Sequence, residues 1–209
     1  WKRVREICDK YEIIMIVDEV ITGFGRTGTW FASEQIDVEP DILNMAKSMA
    51  GGYAPIGAVI TNDEIAEAID LFRHVHTYSG HAVCCATALK VIEIKEREDL
   101  IDRSAKLAKN WQAEMQVEFG DHPAVGEVRG RGFWQAVDFT SNRETHAKPE
   151  LQMVIDITER SRDLGVIVGS IGTAIEIAPA LTATTEQLAE CTRVLGQAIR
   201  EITPKYNLA

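Results

Sequence analysis

Ile13-Ile14-Met15-Ile16-Val17-Asp18-Glu19 is the stretch whose reading decides the fold. Its apolar run is too short for a helix and rich in β-branched residues, so it reads as a buried parallel strand that ends on two acids. A glycine-rich loop follows (Gly23, Gly25, Gly28), then a short strand near 41–45, a turn at Lys47 running into Gly51-Gly52, and another strand over 56–61. Asn62 is placed to cap a helix reaching about residue 69. Helical and strand patterns that alternate in this way predict an α/β layer. Upstream, Trp1 to Cys8 is already helical in period, with no capping residue ahead of it and no initiator Met, so the expectation is a piece of a longer protein.

Downstream, the spacing of Val83, Ala86, Leu89, Val91, Ile92 and Ile94 predicts a largely buried helix over 81–98, and 100–119 reads as an amphipathic helix stopped by Gly120. The pattern then changes. Strands are expected over 125–128 and 132–139, a helix over 150–164, strands over 166–168 and 174–177, and a closing helix over 185–202. Two domains result: part of an α/β layer over 1–104, and a small α+β unit over 105–209.

Composition narrows the function. The 209 residues are 45% hydrophobic and 26% charged with a net charge of −10, and no Lys/Arg block stands out. That excludes the basic footprint of a nucleic-acid or anionic-membrane binder and leaves small molecules as expected partners. No run of about 18 apolar residues exists to suggest a membrane span. Cys8, Cys84, Cys85 and Cys191 lack metal-like spacing and read as buried free thiols, which suits a cytoplasmic protein.

Two residues carry the chemistry. Asp18 stands at the C-terminal end of a parallel strand, where open α/β sheets bind ligands, and a carboxylate buried there needs a cationic partner. The plain alternative is an aspartate that caps the following loop. Lys47 precedes Ser48-Met49-Ala50-Gly51-Gly52-Tyr53, a backbone open enough for a bulky group, and a desolvated lysine can serve as an amine nucleophile. A solvated surface lysine is the alternative.

The segment Asp18-Glu19-Val20-Ile21-Thr22-Gly23-Phe24-Gly25-Arg26-Thr27-Gly28 resembles the signature of class III pyridoxal-phosphate (PLP) dependent aminotransferases. Pro40-Asp41-Ile42, Ala46-Lys47-Ser48 and Gly51 to Val59 resemble that family's lysine block, and Thr77-Tyr78-Ser79-Gly80-His81-Ala82 resembles a further segment, with Ala82 where Pro is usual. The intervals agree with the family: 29 positions from Asp18 to Lys47 and 30 from Lys47 to Thr77. The likeness runs on through Val128 to Gly132 and Ile177 to Thr182, and so over essentially the whole chain.

The resemblance implies PLP fold type I: the C-terminal part of the large parallel-sheet cofactor domain followed by the small C-terminal domain, in a homodimer with the active site at the subunit interface. Family members are about twice as long, so a missing N-terminal half is implied, and this piece alone is expected to be inactive. By the same resemblance Lys47 forms the Schiff base and moves the proton. Asp18 keeps the ring nitrogen protonated. Val20 packs on the ring, and Thr77 donates to the phosphate of the partner subunit's cofactor. Glu19 is expected to make structural hydrogen bonds, Arg26 to brace its loop, and His81 to start a helix.

Relatives hold substrate carboxylates with an arginine at one of two places, which here are Glu176 and Gly169. With neither present, the resemblance favours an amine or ω-amino donor and a keto-acid acceptor such as pyruvate, with Glu176 binding a donor's second amine. A solvent-facing Glu176 is the alternative. Two rival functions stay open: a racemase or aminomutase using the same lysine, which a single-turnover search for a released ketone or aldehyde distinguishes, and a non-catalytic binding module, against which Asp18 and Lys47 together argue.

Overall fold

In the computed structural model, which describes residues 1–206 and 208, the chain divides into two compact units, Trp1–Asp102 and Arg103–Ala209. The first is built on a three-stranded sheet in the order β1(Ile16–Asp18), β2(Ile42–Met45), β3(Ala58–Thr61). β1 and β2 run parallel, with Asp18 opposite Asn44, and β3 runs antiparallel to β2. Around it lie α1(Lys2–Lys10), α2(Ala32–Ile36), α3(Asp63–Glu67) and α4(Ala82–Arg97).

The apolar strand is buried on one side only. Met15 and Val17 pack with Val38, Cys8 and Ile36, whereas Ile14 and Ile16 are 54% and 59% exposed. Strand side chains alternate between faces, and Ile16, Ile42 and Thr61 stand opposite one another across the sheet. α1 and α2 supply partners for the other face. α4 likewise departs from the expected burial, since Val83 and Leu89 are exposed and the helix buries Ala88 and Lys95 instead. Asn62 does cap α3, its side chain accepting from the Ile65 amide. α2 has no counterpart in the sequence reading.

α5(Leu100–Phe119) begins at the end of the first unit, and from Arg103 onward it belongs to the second. That unit has an antiparallel sheet ordered β4(Val125–Arg131), β5(Trp134–Phe139), β7(Ala174–Ile177), β6(Gly169–Ile171), with α6(Leu151–Asp163) and α7(Thr185–Ile202). Ala108, Trp111, Met115 and Phe119 recur every three or four residues and form the buried stripe of α5. Trp111 meets the Phe133 ring edge-on at 5.8 Å and donates to Thr192 Oγ1 at 3.0 Å. Leu188, Leu195, Ile199 and Ile202 form the matching stripe of α7. The strand expected over 166–168 lies three residues later, because the Val166 amide still caps α6 through the Ser161 carbonyl at 2.9 Å. All four cysteines are free thiols of intermediate burial, more exposed than expected.

Candidate active site

Parallel pairing puts the carboxyl ends of β1 and β2 on one edge of the sheet, and both chemical candidates of the first unit stand there. Asp18 closes β1, and Lys47 follows β2 by two residues as the first residue of a 3-10 turn, Lys47–Met49. Lys47 has φ +42, in the left-handed region that a side chain disfavours, and Phe24 in the glycine-rich loop has φ +60. Non-glycine residues held there are typical of sites where the surroundings dictate the backbone.

Asp18 is exposed in this structure, contrary to the expected burial, because it shares the open face of the sheet with Ile16. Its Oδ1 accepts from the Val20 amide at 2.9 Å, so it does cap the following loop. The buried acid is its neighbour Glu19, 1% exposed. Glu19 accepts from the Ala32 and Ser33 amides at 3.0 and 2.7 Å and from the Thr22 hydroxyl. Its carboxylate thereby closes the loop between β1 and α2 and caps the first turn of that helix. Gly23 is required within the loop, since a Cβ there would lie 2.8 Å from the Glu19 carbonyl.

Val20 is half-buried two residues beyond Asp18. Thr77 is exposed in a turn over 77–80, with no hydrogen bond to Asp18 or Lys47 among the described residues. Arg26 is engaged within its surroundings, and His81 is the N-cap residue of α4. The sequence reading missed Lys95. Its ammonium, 5% exposed, sits between the glycine-rich loop and the Lys47 turn. The available signal was its helical phase, in step with Ala88 and Val91.

Glu176 belongs to the second unit. It lies on β7 opposite Ala136 on one side and Gly169 on the other, and Ala136 in turn faces Arg129. Directly opposed residues share a face, so Arg129, Ala136, Glu176 and Gly169 form one row across four strands. Glu176 and Gly169, the two positions for which the resemblance implies a carboxylate-binding arginine, are thus cross-strand neighbours. Trp134 Nε1 donates to Glu176 Oε1, and a cavity of about 320 Å³ opens beside them, with Arg129 and Arg131 also in its wall. Glu176 is therefore held by a neutral donor and is not simply directed into solvent.

The family model for class-III aminotransferases matches residues 1–199. The chain belongs to the class III aminotransferases. It is 38% identical over 199 residues to the putrescine–pyruvate aminotransferase of Pseudomonas aeruginosa, covering 91% of this chain and 42% of that protein. It is 31% identical over 223 residues to the taurine–pyruvate aminotransferase of Bilophila wadsworthia, covering 100% of this chain and 49% of that one. An amine transaminase from an uncultivated Pseudomonas species, solved in its PLP-bound internal aldimine form, superposes with a TM-score of 0.93 at 37% identity, covering 97% of this chain and 48% of that one. The fold is accordingly that of PLP-dependent transaminases, fold type I. The chain spans less than half the length of these relatives.

The residues present fit PLP. The cofactor needs a primary amine and a carboxylate reachable on one edge, and both Lys47 and Asp18 are exposed there, with neither drawn into an ion pair among the described residues. Gly52 has nothing within 4 Å of where a Cβ would stand, which leaves room beside the lysine. Among the described residues no cluster suited to a metal ion is found, and no helix is long and apolar enough to cross a membrane.

Proposed function

We propose that the protein to which this chain belongs is a PLP-dependent aminotransferase, moving an amino group from an amine or ω-amino donor to a 2-keto acid such as pyruvate. The observation that carries this is the placing of Lys47 and Asp18 on one carboxyl edge of the sheet in a class III chain. When bound, PLP supplies the aldehyde that takes up the amino group and a ring that withdraws electrons. Lys47 would hold the cofactor through its Nζ and, as an amine, would take and return the proton at the substrate carbon. The Asp18 carboxylate would hold the proton on the ring nitrogen, and Val20 would offer an apolar surface to the ring. Thr77 donates its hydroxyl to the phosphate of the partner subunit's cofactor in a cytoplasmic homodimer. An N-terminal half supplies the rest of the pocket, and the names of the pyruvate-dependent relatives support the choice of acceptor.

The test uses the full-length enzyme loaded with PLP. Borohydride reduction followed by peptide mapping is expected to find the pyridoxyl group on Lys47, and Lys47→Ala to abolish it. Asp18→Asn is expected to keep the cofactor while turnover falls by at least one to two powers of ten, since a hydrogen bond to a charged group contributes about 1.5–3 kcal/mol. A label on another lysine, or an Asp18→Asn enzyme of normal turnover, overturns the assignment.

A further inference from the structure

Ala88, Val91 and Lys95 share one face of α4, and that face packs on the turn that carries Lys47. A methyl group added to Gly51 would meet both Val91 methyls at 3.5 Å. Where the face ends, the buried Lys95 Nζ donates to the Ser48 carbonyl at 2.7 Å, to Ser48 Oγ at 2.9 Å and to the Phe24 carbonyl at 2.9 Å, and lies 5.2 Å from the centre of the Phe24 ring. No ion pair among the described residues involves it. A buried ammonium without a counter-ion is costly, and an apolar side chain of similar length would avoid that cost. What the charge adds is direction. An ammonium has three donors, and here each has an acceptor.

Those acceptors come from two loops distant in sequence, and each loop has a left-handed residue at the point of attachment. Phe24 is itself one, and Ser48 immediately follows the other, Lys47. We propose that Lys95 is a positioning residue whose ammonium ties the glycine-rich loop to the Lys47 turn and so fixes the direction in which the Lys47 amine is presented. The proposal rests on Lys47 being the cofactor-bearing lysine.

In the full-length, PLP-loaded enzyme, three variants separate a clamp from simple packing. Lys95→Met removes the donors while keeping a long side chain, Ser48→Ala removes one acceptor, and Val38→Ala thins the core of the same unit elsewhere. Lys95→Met is expected to speed amide exchange about tenfold in peptides covering both 22–30 and 46–53, because the two loops open together. It is also expected to move the pH midpoint of the cofactor's visible absorbance by about 0.5 or more, and to lower kcat about tenfold with donor KM within about twofold. Val38→Ala is expected to lower the melting temperature and move none of these. A Lys95→Met enzyme that melts earlier while both peptides and the midpoint stay as in wild type shows packing alone and overturns the clamp.

Should Lys95→Met fail to fold, Ser48→Ala is expected to loosen 46–53 and move the midpoint in part; no change in either overturns the proposal as well. Mapping the reduced label in wild type separates the two levels. A label away from Lys47 sinks the assignment of the cofactor lysine and with it the midpoint argument, while joint loosening of the two peptides still decides whether Lys95 couples the loops.

Discussion

Glu176 occupies one of the two places where the family resemblance implies a guanidinium, and it is bound to an indole N–H that satisfies the carboxylate without neutralising it. A carboxylate that meets the donor favours a second amine and disfavours a donor's carboxylate, and this is what a Glu176 variant tests. Arg131 borders the same cavity, where Arg129 is paired with Asp138 and Glu127, so replacing Glu176 with Gln removes a negative charge while the carboxamide can still accept from Trp134. Glu176→Gln is therefore expected to raise kcat/KM for carboxylate-bearing donors relative to matched diamines by on the order of tenfold, read as a ratio across donor pairs. An unchanged ratio means that the carboxylate does not meet the donor. The placing of Asp18 and Lys47 at the ends of adjacent parallel strands was legible in the sequence, because each sits in a long local motif, whereas the exposure of Asp18 was not. Lys95 was not, since its partners are 71 and 47 residues away, and a lysine near a helix end ordinarily reads as solvated. The Trp134–Glu176 bond, spanning 42 residues, was hidden for the same reason.

At the scale of elements, the bounds of α5 and α7 are legible in the sequence, because each carries an apolar stripe in phase with the helix and a clear stop or start. α7 opens on Thr184, whose hydroxyl accepts from the Gln187 amide at 3.3 Å while Gln187 Oε1 accepts from the Thr184 amide at 2.9 Å. This reciprocal cap is local, so its loss is local too. Thr184→Ala is expected to destabilise the second unit by about 1 kcal/mol, measured by urea denaturation, with no change in the absorbance of bound cofactor. No loss of stability means that the helix start is held by tertiary packing alone. Elements without such periodicity are not legible in the same way. α2 is five residues long and depends on a carboxylate 13 residues upstream, while β6 is defined by its pairing with β7 and not by its own composition. α4 reads as buried because its apolar residues spread around the helix, and composition does not say which face finds a neighbour.

For the molecule as a whole, a net charge of −10 grows more negative with rising pH, and self-repulsion then works against the folded state. Lys95 acts in the opposite sense. Burial, reinforced by the charge of Arg26, pulls its pKa from 10.5 down to about 8. Below pH 8 the amine is charged in both the folded and unfolded states, and the cost of burying it is fully felt. Between 8 and 10.5 the unfolded chain binds more protons, so stability due to this group rises with pH. Relative to Lys95→Met, the wild type is expected to gain up to about 3 kcal/mol between pH 7 and pH 10.5, since each tenfold difference in proton affinity between the two states is worth about 1.4 kcal/mol. Urea titrations of both proteins across that range measure the difference, and a constant difference shows that Lys95 titrates normally. The division into two units follows the change of pattern in the sequence, from strands alternating with helices to antiparallel pairs, and the chemistry of each unit could be read separately for that reason. One feature of the first unit also governs how this chain behaves at the bench. The sheet face that bears Ile14, Ile16 and Val59 is open, and a net charge of −10 opposes the approach of two such faces. At about 1 M salt the Debye length falls to roughly 3 Å, so concentrated buffers remove that protection and favour sticking between copies, whereas dilute buffers preserve a dispersed sample.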